Sequence, residues 1–271
     1  MIIINFPKIS AVCTTKDRPE LIKKSIQCYI KQIYPNKELV IVSQGNDHSN
    51  TQIYNYIKSL NRDDIYFFTM PKIASLGEMR NTSVELSKGL LICQWDDDDL
   101  YHPERLTTQF NDIRSGFFVA SAYCNFLKLF SHTKELYWCD WSQKKEPSHK
   151  FLSGSIMFYK SIFHMYDIFY PEVGDQSSRE EDLNVLIKII SKGKVVPTTM
   201  GHQYTYVYHG KNTYELEHHN LTIDPSLGHN IFDKDHLLNN KELLENTFQK
   251  IGIDQNLKVR SLDEVAFEYN Y

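Results

Sequence analysis

The chain has 271 residues, 41% hydrophobic and 24% charged, and 30 Lys and Arg against 34 Asp and Glu give a net charge of −4. This composition excludes a disordered or collagen-like chain, and without a basic surplus it excludes a general nucleic-acid binder. Five scattered cysteines with no CxxC pair exclude a disulfide framework and a zinc knuckle, and a reducing, cytoplasmic setting is expected.

Residues 9–14 read as a short buried strand. Asp17-Arg18-Pro19-Glu20 reads as a helix start, with Asp17 as cap and an early proline and acid. Ile22, Ile26, Tyr29 and Ile33 follow at helical spacing. Residues 38–42 are a second strand, Gly45-Asn46-Asp47 is a turn, and Ile53, Ile57 and Leu60 mark the next helix. A third strand covers 65–69. Ser75-Leu76-Gly77-Glu78 is a capping box, in which Ser75 and Glu78 each satisfy a free backbone donor. Leu76, Met79, Ser83 and Leu86 are the inward face of that helix. Residues 90–95 form a fourth strand, and Pro103 opens a helix with Leu106, Phe110 and Ile113 on one side.

Alternating strands and helices predict a mostly parallel sheet flanked by helices, whose ligands bind beyond the carboxyl ends of the strands. Thr14-Thr15, Ser43-Gln44-Gly45 and Asp96 to Asp99 fall at those ends. After about residue 115 the pattern changes. Residues 117–123, 126–130, 135–139 and 154–159 read as strands without intervening helices, a small antiparallel addition. A helix over 180–192 turns Leu183, Ile187 and Ile190 inward, strands follow at 194–199 and 203–208, and 236–251 is a closing helix. No apolar stretch reaches the roughly 20 residues of a bilayer span. Residues 1–6 are too short for a signal-peptide core, so a soluble or peripheral protein is expected.

Asp96-Asp97-Asp98-Asp99 is the strongest chemical signal. Four adjacent carboxylates repel one another, and a hard divalent cation relieves that repulsion. Mg²⁺ and Mn²⁺ suit oxygen ligands and phosphorylated substrates. A solvated acidic turn is the plain alternative. Glu180-Glu181-Asp182 starts a helix, where the dipole alone favours acids, although a carboxylate there also suits a general base. His209 offers an imidazole ligand or is an ordinary polar residue. Arg80 pairs with a phosphate or the acidic cluster, with a surface ion pair the plainer reading from spacing. Tyr137, Trp138 and Trp141 read equally as a sugar-stacking platform and as core. GxGxxG, GxxxxGK[ST] and GxSxG motifs are absent, which argues against dinucleotide, P-loop and nucleophile-elbow sites.

Taken in order, these residues resemble the GT-A glycosyltransferases of family 2, inverting enzymes that use nucleotide sugars. Val12 to Pro19 looks like the opening strand with its T-x-x-R-P turn, and Gln32 to Val42 follows Q-x-Y-x-x-x-E-L-I-I-V. Arg80-Asn81 with Ser87-Lys88-Gly89 resembles A-R-N…A-x-G. Asp96 to Asp99 with Pro103 and Leu106 resembles D-x-D-D…P-x-x-L, and Glu181-Asp182 matches the later E-D pair. His209-Gly210-Lys211-Asn212-Thr213 is similar to H-G-x-N-T. The resemblance covers roughly residues 8 to 220.

It implies metal ligation by Asp98, with Asp96 and His209 as further candidates for Mn²⁺ or Mg²⁺. It implies a nucleotide-sugar site lined by Thr14, Thr15, Arg18, Gln44, Arg80, Asp96 and Asp97. Asp182, or Glu181, would be the catalytic base. Ser43-Gln44-Gly45-Asn46 departs from the family's usual D-D-G-S, so Gln44 offers an amide to the base where a carboxylate is usual, with UDP the default. Residues 1–235 would form the catalytic domain, with 1–115 holding the donor and 116–235 the acceptor, and 236–271 would pack on it as a helical segment. The expected partners are a nucleotide-sugar donor and a glycan or lipid-linked acceptor in polysaccharide assembly. Peripheral membrane contact is left open. A non-catalytic sugar-nucleotide-binding protein shares the fold. A sugar-nucleotide pyrophosphorylase needs a glycine-rich phosphate loop, and residues 12–19 contain no glycine.

Overall fold

The structure is a computed structural model, described here for residues 6–70, 74–173 and 180–271. Its first part alternates as expected: β1 (Ile9–Thr15), α1 (Pro19–Ile30), β2 (Lys37–Ser43), α2 (Asp47–Ser59), β3 (Ile65–Thr69), α3 (Leu76–Leu86) and β4 (Leu91–Gln94). Strand β1 lies parallel to both β2 and β4, and β2 to β3. Every residue of β1 is buried, because helices cover both faces of the sheet and the strand reads as a continuous apolar run. The capping box of α3 forms as read, with Ser75 and Glu78 each bonding the other's backbone N–H.

The chain continues through β5 (Leu100–Tyr101), α4 (Arg105–Ile113), β6 (Ala120–Tyr123), β7 (Asn125–Phe130), β8 (Glu135–Asp140), β9 (Met157–Tyr159), α5 (Lys160–Met165), α6 (Glu181–Lys192), β10 (Val195–Thr198) and β11 (Tyr204–Tyr208). It ends with α7 (Leu216–Leu221), β12 (Asn230–Ile231), α8 (Lys234–Asn239), α9 (Lys241–Ile251), β13 (Leu257–Arg260) and β14 (Val265–Tyr269). Among the described residues the first sheet has seven strands in the order β10-β6-β9-β4-β1-β2-β3, with β9 antiparallel to both neighbours. A second sheet runs β14-β13-β8-β7-β11-β5, with β12 beside β8. The addition is therefore larger than its sequence pattern suggests, and parallel pairs of β11 with β7 and β13 with β8 lie within it.

Several local expectations are corrected. Asp17 does not cap α1. It takes φ 52°, and its carboxylate accepts the Asn46 N–H at 2.7 Å, tying the turn after β1 to the turn after β2. Arg18 holds the cap position and Pro19 begins the helix, where a missing N–H costs nothing. Ile33 lies beyond the end of α1 and is 60% exposed. In α3, Met79 and Ser83 face in as expected, Leu86 is exposed, and Arg80, Asn81 and Val84 are buried as well. In α6, Val185, Leu186 and Ile189 face in and Ile187 faces out. The region read as one closing helix is α8 and α9, broken at Asn240, and the β13–β14 hairpin follows it. No helix among the described residues is long and apolar enough to cross a membrane.

Candidate active site

The carboxyl ends of β1, β2 and β4 open on a cleft of about 340 Å³, closed on the far side by the start of α6 and by residues 206–214. The four acids after β4 part company there. Asp97 is buried, accepts the Thr15 hydroxyl at 2.6 Å and meets Arg18 at 3.3 Å. Burial, then the neighbouring Asp98 charge, push its carboxyl up to about 7. Asp96 pairs with Arg80 at 3.0 Å. Its backbone is pinned by Tyr101, whose hydroxyl accepts the Asp96 N–H at 2.8 Å, and by Ser25, which donates to its carbonyl at 3.0 Å. Burial raises the Asp96 carboxyl as well, with Arg80 working against it. Asp98 meets Arg18 at 3.1 Å and His209 Nε2 at 3.0 Å. Asp99 points away from the cleft, where it accepts the Tyr204 hydroxyl at 2.7 Å and the Val207 N–H at 2.9 Å. It joins β5 to β11 and lines no part of the cleft.

Arg80 is no surface ion pair. Its guanidinium is buried and bridges Asp96 at 3.0 Å and Glu181 at 2.9 Å, so α3 links the acidic run to the first turn of α6. This separates the two candidate bases. Glu181 is buried and held by Arg80. Asp182 lines the cleft, accepts the Ser153 hydroxyl at 2.9 Å and takes its other bond from the Leu183 N–H at 2.7 Å. Gly154 runs between the acids: a Cβ there would lie 2.9 Å from Asp96 Oδ2 and 3.5 Å from Asp182 Oδ2. At the other end of the cleft, Gln44 donates to the Ala74 carbonyl at 2.6 Å, and Thr14 lies alongside.

His209 is held to the site by its own loop. The Lys211 N–H donates to Nδ1 at 3.3 Å, leaving Nε2 on Asp98. Arg18 reaches the Lys211 carbonyl at 3.0 Å. Among the described residues no three His, Cys, Asp or Glu side chains gather as a closed metal cage. Asp98 with His209 is an open oxygen–nitrogen pair. That donor set fits Mg²⁺ or Mn²⁺ completed by water and substrate phosphate oxygens once the imidazole proton moves from Nε2 to Nδ1 and the Lys211 N–H is released. Asp96, turned to Arg80, is not part of that pair.

All the residues expected at the nucleotide and base positions line one cleft, and His209 stands behind it on Asp98. Tyr137 and Trp138 are core, and Trp141 stacks edge-on against Phe126 at 4.9 Å, so the aromatic platform is not at this site. Tyr206 and Tyr214 are the cleft's tyrosines. Sequence reading missed them, together with Ser153, Gly154 and Tyr101, because each arrives through tertiary folding and has no local pattern.

A family model described as glycosyl transferase family 2 matches residues 10–166, more than half of the chain. The chain belongs to glycosyl transferase family 2. Over 103 residues this family 2 chain is 31% identical to WcaA of Escherichia coli, named for a colanic acid biosynthesis glycosyl transferase. That match covers 38% of this chain and 37% of WcaA. Protein CgeD of Bacillus subtilis is 30% identical over 108 residues, 37% of this chain and 25% of its own. The matches thus span well under half of either relative. The GT-A fold recurs in the Pyrobaculum calidifontis mannosyltransferase PcManGT, solved with GDP-Man and Mn²⁺, at TM-score 0.59 and 12% identity over 77% of this chain and 59% of that one. It recurs in Staphylococcus aureus TarS with UDP-GlcNAc, at TM-score 0.55 and 14% identity over 91% and 68%.

Proposed function

We propose that the chain is an inverting, divalent-metal-dependent glycosyltransferase, moving a sugar from a nucleotide diphosphate to an acceptor hydroxyl. The donor is a UDP-sugar by default, the acceptor a glycan or lipid-linked sugar in polysaccharide assembly, and the setting the cytoplasm. Residues 1–115 hold the donor and 116–235 the acceptor. The observation that carries the reading is Asp182: a cleft-facing carboxylate at a rigid helix start, oriented by Ser153 and set across Gly154 from the acidic run.

Asp182 takes the proton of the acceptor hydroxyl as that oxygen bonds to the anomeric carbon. The bond from that carbon to the diphosphate oxygen breaks on the opposite face, so configuration inverts in one displacement and no glycosyl-enzyme forms. Arg80 fixes Asp96 and Glu181 and leaves Asp182 as the proton acceptor. Asp98 and His209 would hold Mn²⁺ or Mg²⁺, which when bound neutralises charge on the departing diphosphate. Thr14, Thr15 and Arg18 line the nucleotide, and Gln44 addresses its base through an amide. The UDP and GDP sugars in TarS and PcManGT support a nucleotide-sugar donor.

A thermal-shift panel of UDP, GDP, CDP, ADP and dTDP, each with and without Mn²⁺, tests the donor. A ligand at about 100 times its Kd adds roughly 2.7 kcal/mol, several degrees for this chain length. A shift with one nucleotide, dependent on metal, is expected. No shift with any nucleotide overturns the donor site. Binding without transfer to any acceptor would favour a non-catalytic sugar-nucleotide binder.

A further inference from the structure

Away from the cleft, one face of the molecule carries large apolar side chains in the open. Phe117 is 62% exposed, Met165 68% and Ile187 47%, with Tyr166 and Phe169 beside them. Phe117, Tyr166 and Phe169 are tied to one surface along α6 and the segment after it. The Val119 N–H donates to the Lys194 carbonyl at 2.9 Å, fastening the chain before β6 to the chain after α6. Phe169 packs on Phe163 of α5 at 5.4 Å between ring centres.

Three lysines each meet one of the exposed aromatics. Lys194 Nζ lies 4.3 Å from the centre of the Phe117 ring, and Lys192 Nζ 5.6 Å from that of Tyr166. Lys188 Nζ donates to the Phe169 carbonyl at 3.3 Å. The local charge is opposite to that of the whole molecule. Residues 186–199 hold these three lysines and no acid, and 114–119 hold Arg114 and no acid, in a chain of net charge −4. On the 160–173 stretch the acids are Asp167 and Glu172, and Glu172 is engaged by Asn81 at 2.7 Å. Beside Lys194 opens an apolar groove of about 510 Å³, lined by Phe118, Phe151, Ile190 and Pro197, with Lys150 among its walls.

We infer that this face docks on an anionic lipid bilayer. Aromatic rings suit the headgroup boundary, and lysines bury their stems there while the ammonium groups reach lipid phosphates. A protein partner fits less well, since the cores of protein interfaces are depleted in lysine. Helix α6 carries Asp182 in its first turn and Lys188 and Lys192 about 9 and 15 Å further along its axis, so the docking face and the cleft share one rigid helix. The inference stands whether or not the transfer reading does.

The test is co-sedimentation of the full chain with phosphatidylcholine vesicles and with vesicles also containing phosphatidylglycerol. Binding to the anionic vesicles alone, weakened by salt, is expected. Each lysine near such a surface contributes about fivefold, so Lys188→Glu, Lys192→Glu and Lys194→Glu together should weaken binding about a hundredfold. Phe117→Ser with Phe169→Ser should weaken it about tenfold or more. Melting temperature and the nucleotide shift of the cleft should stay as in the unmodified chain for the lysine variant and for the single change Phe117→Ser, whose open position guards against the folding artefact that Phe169→Ser, packed on Phe163, could bring. No binding, equal binding to neutral vesicles, or full binding by the triple lysine variant overturns the inference. A lipid-free dimer broken by Phe117→Ser would also overturn it and assign the face to a second copy of the chain.

Discussion

The acidic run serves two regions of very different physics. In the cleft, Asp96 stands against Arg80 and Asp98 against Arg18, and their charge is met by opposite charge. Below it, Asp99 is buried and held by the Tyr204 hydroxyl at 2.7 Å and the Val207 N–H at 2.9 Å, with no cation bonded to it among the described residues. Burial there raises the Asp99 carboxyl well above its usual range. Neighbouring acids of one run thus divide between the cleft and the architecture beneath it, and the division is set by which side of the strand end each faces.

The largest effect that would sharpen this contrast is chemical. Asp182→Asn should keep the metal-dependent nucleotide shift and lower transfer by about 10²- to 10⁴-fold, read in a donor-turnover assay. Normal turnover by that variant would remove Asp182 from its role. Arg80→Met should come next, leaving the buried Glu181 and the half-buried Asp96 without their partner and costing about 3 kcal/mol in a denaturant titration. Asp98→Asn should abolish the roughly 2.7 kcal/mol nucleotide shift that Mn²⁺ supports while leaving the melting temperature of the free chain nearly unchanged. Asp99→Asn, by contrast, should leave nucleotide binding intact and cost about 1 kcal/mol of stability, through its bonds to Tyr204 and Val207. If Asp98 and Asp99 variants behaved alike, the division between the two regions would fail.

A smaller effect tests a third buried charge. Lys128 is fully buried, 2.5 Å from His219 and 3.5 Å from the centre of the Tyr206 ring. Burial pushes its ammonium down to about 7. Between pH 7 and the unfolded value of about 10.4 the unfolded chain binds the extra proton, so this group makes stability rise with pH across that window. Lys128→Met should flatten that slope in thermal melts taken from pH 7 to 10.

The sequence pattern was most informative where neighbours in sequence are neighbours in space. β1 to α4 alternate in chain order, and the capping box at Ser75 needs residues only three apart. Thr15, Asp96 and Asp98 could be placed at one cleft for the same reason, since strand ends in a parallel sheet converge, whereas spacing read Arg80 as a surface ion pair and the fold buries it. The second sheet depends on distant pairings such as β11 with β7 and β13 with β8, and no local period encodes them. Ser153 and Tyr206 share that fate. The helical faces failed where the site itself intrudes: α3 buries Arg80 and Asn81 because they reach Glu181 and Tyr170, which hydrophobic periodicity cannot show.

Gly154 matters in the site for the side chain it lacks. A methyl group there would sit 2.9 Å from Asp96 Oδ2 and 3.5 Å from Asp182 Oδ2, so any side chain at 154 presses on both carboxylates. A side chain at 154 would push on the bonds that hold Asp96 to Arg80 and Asp182 to Ser153, so the bare glycine lets both carboxylates keep their present partners.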